Sequence, residues 1–136
     1  MSCRYIQLGI LQIENLYRKS ACLAGLSSKV VVVEGKFNEH LDIAKQLLEE
    51  MNAPYFDFVF LDHWKECYMP DYLLLKENGM LGISSGICAD NTGAMGGPAD
   101  FRKYVKMHPE ELETCEYKNN VEYQRHCLFL KLSTQY

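Results

Sequence analysis

No run of basic residues occurs anywhere in the sequence, and the formal net charge is -4. That argues against nucleic acid as a partner, because phosphate backbones are neutralised by clustered Lys and Arg. No stretch approaches the roughly 18 apolar residues of a membrane span. The opening MSCRYIQLGILQIENLYRK has neither the basic head nor the apolar run of a signal peptide. A soluble, cytoplasmic chain with no membrane partner is the expectation. The six cysteines, Cys3, Cys22, Cys67, Cys88, Cys115 and Cys127, never form a C-x-x-C pair, which removes the usual zinc and redox motifs. They are read as reduced and mostly buried small hydrophobes. Internal repeats, low-complexity tracts and linkers are also missing.

What is there suits one domain: 136 residues, 48% apolar and 12% aromatic, are enough to build a core. Apolar runs of strand length alternate with stretches of helical period, the pattern of βαβ units around a mostly parallel sheet. YIQLGIL opens as a strand. Residues 15–25 follow as a helix, with Leu16, Ser20, Leu23 and Ala24 on one face and Gly25 closing it. VVVV at 30–33, β-branched and apolar at every position, predicts a strand covered on both faces inside the sheet. Residues 39–51 place Leu41, Ala44, Leu47, Leu48 and Met51 on one stripe with Ile43 at its edge, an amphipathic helix. FDFVFLD is the next strand. Pro70 suits the first turn of a helix that Gly79 ends, and GICAD at 86–90 is a third strand. LETCEYK and HCLFLKLS, joined through Asn119-Asn120, predict an antiparallel pair, so the fold class is α/β with a mixed sheet.

Two strand ends carry the chemistry: FLDHWK at 60–65 and CADN at 88–91. Open parallel sheets bind ligands outside the carboxyl ends of their strands. If these strands are neighbours, Asp62, Asp90 and Asn91 converge as three oxygen donors. Such a set suits a hard cation such as magnesium, which keeps some waters and takes the rest of its shell from a substrate. The same acids also suit helix caps or loop positions. Lys65, beside a metal and partly desolvated, would have its pKa lowered and accept a proton, or else stand as a solvated lysine at a helix start. His63 and Trp64 line a ligand, or are a satisfied polar residue and a core residue. NTGAMGGPAD leaves the third strand as a shaped loop.

FDFVFLDHWKECYMPDYLLLKENGML closely resembles the corresponding run of the catechol O-methyltransferases, and CADN, PADF and VEYQR follow at matching distances. The resemblance covers nearly the whole chain from about Leu23 onward. It implies a Rossmann-like class I methyltransferase fold in a single domain, residues 1–136, incomplete at its N-terminus. It also implies methyl transfer from S-adenosylmethionine to a catechol hydroxyl. By resemblance, Asp62, Asp90 and Asn91 hold magnesium, with Asn91 also touching substrate. Lys65 takes the proton from one catechol hydroxyl and Glu122 holds the other. Gly35, Asn38, Asp62, His63 and Trp64 fall to the cofactor. The chemistry is coherent, since a hydroxyl on a divalent cation loses its proton more readily and methyl transfer then needs mainly alignment.

Most departures from the family lie toward the N-terminus. The family binds the methionine end of its cofactor on a glycine-rich turn after its first strand, and no such turn occurs here. YIQLGIL corresponds to the family's second strand, yet no carboxylate stands near residues 8–10 for the cofactor ribose. Lys36, Phe37 and Asn38 follow Gly35 where the family has small and polar residues against adenine. The family's first strand is central. Without it the sheet is expected to split between YIQLGIL and FDFVFLD, unless the strands re-pair or another chain associates through the open edge. The loop TGAMGGPA is one residue longer than the family pattern and lacks its central proline, and Met95 either replaces an acceptor-pocket wall or is a core-filling or exposed residue. An altered acceptor with vicinal hydroxyls is one consequence. The alternative to an enzyme is an inert methyltransferase fragment that associates with another chain or only binds metal.

Overall fold

Strands and helices arise where the hydrophobic period changes, and their ends carry the residues that such ends require. The computed structural model describes residues 5–9, 14–93, 97–118 and 126–133. Its helices are α1 (Glu14–Leu23), α2 (Leu41–Glu50), α3 (Tyr68–Glu77) and α4 (Ala99–Met107). Gly25 and Gly79 both stand just past a helix with left-handed backbone, φ +69° and +67°. Each closes a pair of reversed hydrogen bonds: Leu26 N to Ala21 O (2.7 Å) with Gly25 N to Cys22 O (3.0 Å), and Met80 N to Leu75 O (2.9 Å) with Gly79 N to Lys76 O (3.0 Å). This is the geometry that satisfies the orphan carbonyls of a last turn. Pro70 sits in the first turn of α3, as the sequence predicts.

The strands are β1 (Tyr5–Gly9), β2 (Phe56–Asp62), β3 (Leu81–Ala89), β4 (Leu112–Lys118) and β5 (His126–Leu132), in the sheet order β1-β2-β3-β5-β4. The first three are mutually parallel, and β5 runs antiparallel to both β3 and β4. The expected mixed sheet with an antiparallel C-terminal pair is thus present. β3 starts earlier than the 86–90 expected. Its register against β2 shifts between Phe56 and Phe58, and Ser85 Oγ bridges there, accepting from Gly82 N (2.9 Å) and donating to Phe56 O (2.8 Å). Phe56, Val59 and Leu61 of β2 are buried against Tyr68, Tyr72 and Leu75 of α3, while Leu128, Leu130 and Leu132 continue the core along β5. Burying such side chains removes about 25 cal/mol per Å² of apolar surface from water, the main drive for collapse.

Helix α4 lies partly inside what reads as loop. Phe101 and Val105, four residues apart, are its buried face. A buried carboxylate ties it down: Glu111, 4% exposed, accepts from the hydroxyls of Tyr72 and Tyr104 and from Lys76 Nζ. Among the described residues no helix is long and apolar enough to cross a membrane.

Three expectations are corrected. The sheet is not split: β1 pairs directly with β2 from Tyr5↔Phe58 to Gly9↔Asp62. The free edge of β2 would otherwise leave a row of unpaired N–H and C=O groups, and YIQLG satisfies them. VVVV at 30–33 is not a strand, and Val30 and Val31 are 43% and 61% exposed. With β1 already on the edge of β2, these valines instead wall a cavity with β1 and α2. The cysteines are not mostly buried: Cys22 and Cys115 are exposed, Cys67 and Cys127 intermediate, and Cys88 alone among those described is buried. Cys3 lies outside the described residues.

Candidate active site

β2 ends at Asp62 and β3 ends one residue before Asp90, and the two strands are adjacent and parallel, with Leu61 opposite Ala89. Asp62 and Asp90 therefore emerge side by side at the carboxyl end of the sheet. Asp90 N donates to Leu61 O at 3.0 Å, locking the two ends together. Asn91 follows in left-handed backbone, φ +53°, which asparagine tolerates better than most residues. Asp90 is buried, and its Oδ1 accepts from Asn91 N (2.7 Å) and from Cys127 Sγ on β5 (3.0 Å). Among the described residues no group of three or more His, Cys, Asp and Glu could hold a metal. The expected magnesium set has two carboxylates and one amide, so its fit rests on oxygen donors at two neighbouring strand ends.

Lys65 starts the short 3-10 turn between β2 and α3. Its Nζ donates to Tyr68 Oη at 2.6 Å and to the Asp90 carbonyl at 3.2 Å. Burial draws its pKa below the ordinary lysine value, while Asp62 and Asp90 pull it back up. The amine thus stands beside the two acids, partly desolvated. Tyr68 was not singled out by sequence. It is fully buried, donates to the Asp90 carbonyl at 3.0 Å, and has its own pKa raised by burial and then by Asp62 and Asp90.

His63 faces the other way, toward a cavity of about 330 Å³ lined by Ile6, Leu8, residues 30–33, Phe37, His40 and Asp71. Its Nε2 hydrogen-bonds Asp71 Oδ2 at 2.8 Å. With Nε2 engaged by that carboxylate, Nδ1 is the remaining polar atom of the ring. It is buried without a hydrogen-bond partner among the described residues. A hydroxyl or amino group of a bound molecule would satisfy it. Asp71, 7% exposed, was likewise missed by sequence, although its place in the helix after DHWK was a usable signal. Trp64 is 68% exposed beside this cavity-lining histidine.

Gly35, at φ +123°, packs on the cavity-lining His40, whose Nε2 would lie 2.4 Å from an added Cβ. Asn38 is exposed in the 3-10 turn Phe37–Glu39. The structure therefore brings Asp62, Lys65, Asp90 and Asn91 to one corner. His63 faces the cavity; Gly35 and Asn38 do not line it, but flank its lining residues Phe37 and His40. Glu122, Met95 and the residues 10–13 after β1 lie outside the described residues.

No family model matches the chain. It is 40% identical over 102 residues to catechol O-methyltransferase of Bos taurus, covering 75% of this chain and 36% of the relative. It is 34% identical over 115 residues to a probable O-methyltransferase of Mycobacterium tuberculosis, covering 83% and 49%. The chain thus spans between about a third and a half of the length of these curated relatives. Its fold matches the SAH-bound methyltransferase of Podospora anserina with a TM-score of 0.64 at 14% identity, over 96% of this chain and 60% of that one. By sequence the chain is a relative of the catechol O-methyltransferases, and its sheet and helices have the class I O-methyltransferase fold.

Proposed function

We propose that this site serves methyl transfer from S-adenosylmethionine to one hydroxyl of a catechol, with magnesium as the second cofactor. The observation that carries the reading is the corner where Asp62, Asp90 and Asn91 leave neighbouring strands beside the half-buried Lys65. Asp62, Asp90 and Asn91 would hold the cation, which when bound supplies Lewis-acid polarisation of the acceptor oxygen. Lys65 accepts the proton that the acceptor hydroxyl gives up, and Glu122 holds the neighbouring hydroxyl. His63 offers its unpartnered Nδ1 to the nucleoside of the cofactor, with Trp64, Gly35 and Asn38 around it. Asp62 stands between the two halves of the site. The apolar cavity walls exclude water around a transfer that discharges a sulfonium against a phenolate.

Among the described residues nothing supplies a glycine-rich turn for the methionine end of the cofactor. That favours a second reading, an inert fragment that binds metal or pairs with another chain. The experiment that separates them is transfer of a labelled methyl group to a simple catechol, with magnesium and then with chelator, beside Asp62→Ala. Chelator-sensitive product lost in the variant supports the enzyme. Folded protein without product supports the fragment.

A further inference from the structure

Tyr68 is held from every side. Its ring stacks on His63 at 4.9 Å and 28° and meets Phe101 edge-on at 6.1 Å, so its hydroxyl has one direction to point. That hydroxyl donates to the Asp90 carbonyl (3.0 Å) and accepts from Lys65 Nζ (2.6 Å), while Nζ also donates to the Asp90 carbonyl (3.2 Å). A tyrosine hydroxyl carries a single proton. With that proton committed to Asp90, only a lone pair is left for Lys65. Two acceptors, Tyr68 Oη and Asp90 O, engage two of the tetrahedral positions on Nζ, and Cε holds a third. The remaining tetrahedral position on Nζ is thereby fixed in direction.

We propose that Tyr68 is the positioning residue of this site, aiming the one open position on Lys65 Nζ and holding the Asp90–Asn91 corner in register with it. The inference rests on the reading of this corner as the methyl-transfer site. There the acceptor hydroxyl would face the open position on Nζ. Tyr68 keeps its own proton throughout. The same hydroxyl braces the carbonyl that precedes the left-handed Asn91, so one oxygen atom orders both the base and the cation corner.

Tyr68→Phe removes that oxygen and keeps the ring stack. Thermal unfolding first establishes that the variant is folded. Lys65 is then read by acetylation with acetic anhydride and mass spectrometry, against the exposed Lys45 of α2. The ratio of Lys65 to Lys45 labelling is expected to rise about fivefold, the loss of one hydrogen bond. Manganese(II) affinity, read by electron paramagnetic resonance, is expected to weaken. In a turning-over protein kcat falls roughly tenfold or more with the KM for catechol within about twofold, the split expected when alignment is lost. An unchanged labelling ratio in folded Tyr68→Phe overturns the inference, even where the wild type methylates catechol. A raised ratio in a protein that methylates nothing leaves the positioning intact and sinks the methyl-transfer reading instead. Should the variant fail to fold, the unmodified protein is read by NMR. Cross-relaxation between the Lys65 ε-methylene and the Tyr68 ring is expected, since Nζ lies 4.6 Å from the ring centroid, and its absence overturns the inference.

Discussion

Lys76 Nζ reaches both carboxylate oxygens of Glu111, at 3.0 and 2.9 Å, joining the last turn of α3 to the residue that precedes β4. Around them Tyr72 and Tyr104 donate their hydroxyls to the same carboxylate. Lys76→Met leaves Glu111 buried without its cation and is expected to cost about 3 kcal/mol in urea unfolding. Glu111→Gln, which keeps an acceptor for the tyrosines, is expected to cost less.

Two lysines titrate with opposite signs. Burial alone would lower Lys76, but its bonds to Tyr104 and Glu111 more than offset this and raise it above the ordinary value. Its contribution is complete below that ordinary value and is lost only as strongly alkaline pH passes the raised one. Lys65 is lowered by burial, so the folded state disfavours its charged form. Stability is therefore gained as pH rises through the lowered value toward 10.5. Unfolding followed at pH 7 and pH 10 should show wild type gaining on Lys65→Met. Equal change in both proteins would contradict the shift.

Thiol reactivity should follow the observed exposure. Cys22 and Cys115 are exposed, whereas Cys88 is buried and pushed up to about 11 by burial, Asp90 and Asp62. Iodoacetamide at mild alkaline pH is expected to modify Cys22 and Cys115 first and Cys88 at least roughly tenfold more slowly, because the thiolate is the nucleophile. Peptide mapping against time reads the order.

Gly97 lies against the backbone of Thr92 and Gly93, just past Asn91. A Cβ on Gly97 would lie 2.2 Å from Gly93 O and 2.8 Å from the Thr92 carbonyl carbon, both backbone atoms. Gly97→Ala must therefore move the chain next to the Asp90–Asn91 corner, at an expected cost of about 1–3 kcal/mol. Calorimetry reads the cost, and manganese(II) binding shows whether the corner moved with it.

Helix ends and the acid corner were legible because their causes are local. Gly25 and Gly79 announce left-handed closures, and DHWK and ADN each end an apolar run, so neighbouring strands suffice to bring Asp62 and Asp90 together. VVVV misled because a run apolar on both faces reads alike as inner strand and as cavity wall. Which it becomes depends on whether a strand edge is free, and β1 had taken that edge. Tyr68 stayed hidden for a similar reason. Its spacing from Lys65 is visible in sequence, but its partner Asp90 lies on another strand and offers a backbone carbonyl, which no side-chain pattern reveals. Glu122 rests on resemblance alone.

The direct seat of β1 against β2 also bears on the order in which the molecule assembles. β4 and β5 meet through a short connection, whereas Tyr5 finds Phe58 across more than a third of the chain. Loop-closure entropy makes such distant contacts slow, to be rewarded only once the remainder is in place. β1 is therefore expected to dock late and to open early. Since Gly9 is the register partner of Asp62, amide exchange in β1 should report when the acid corner acquires its final flank, with β1 exchanging faster than β3 or β5.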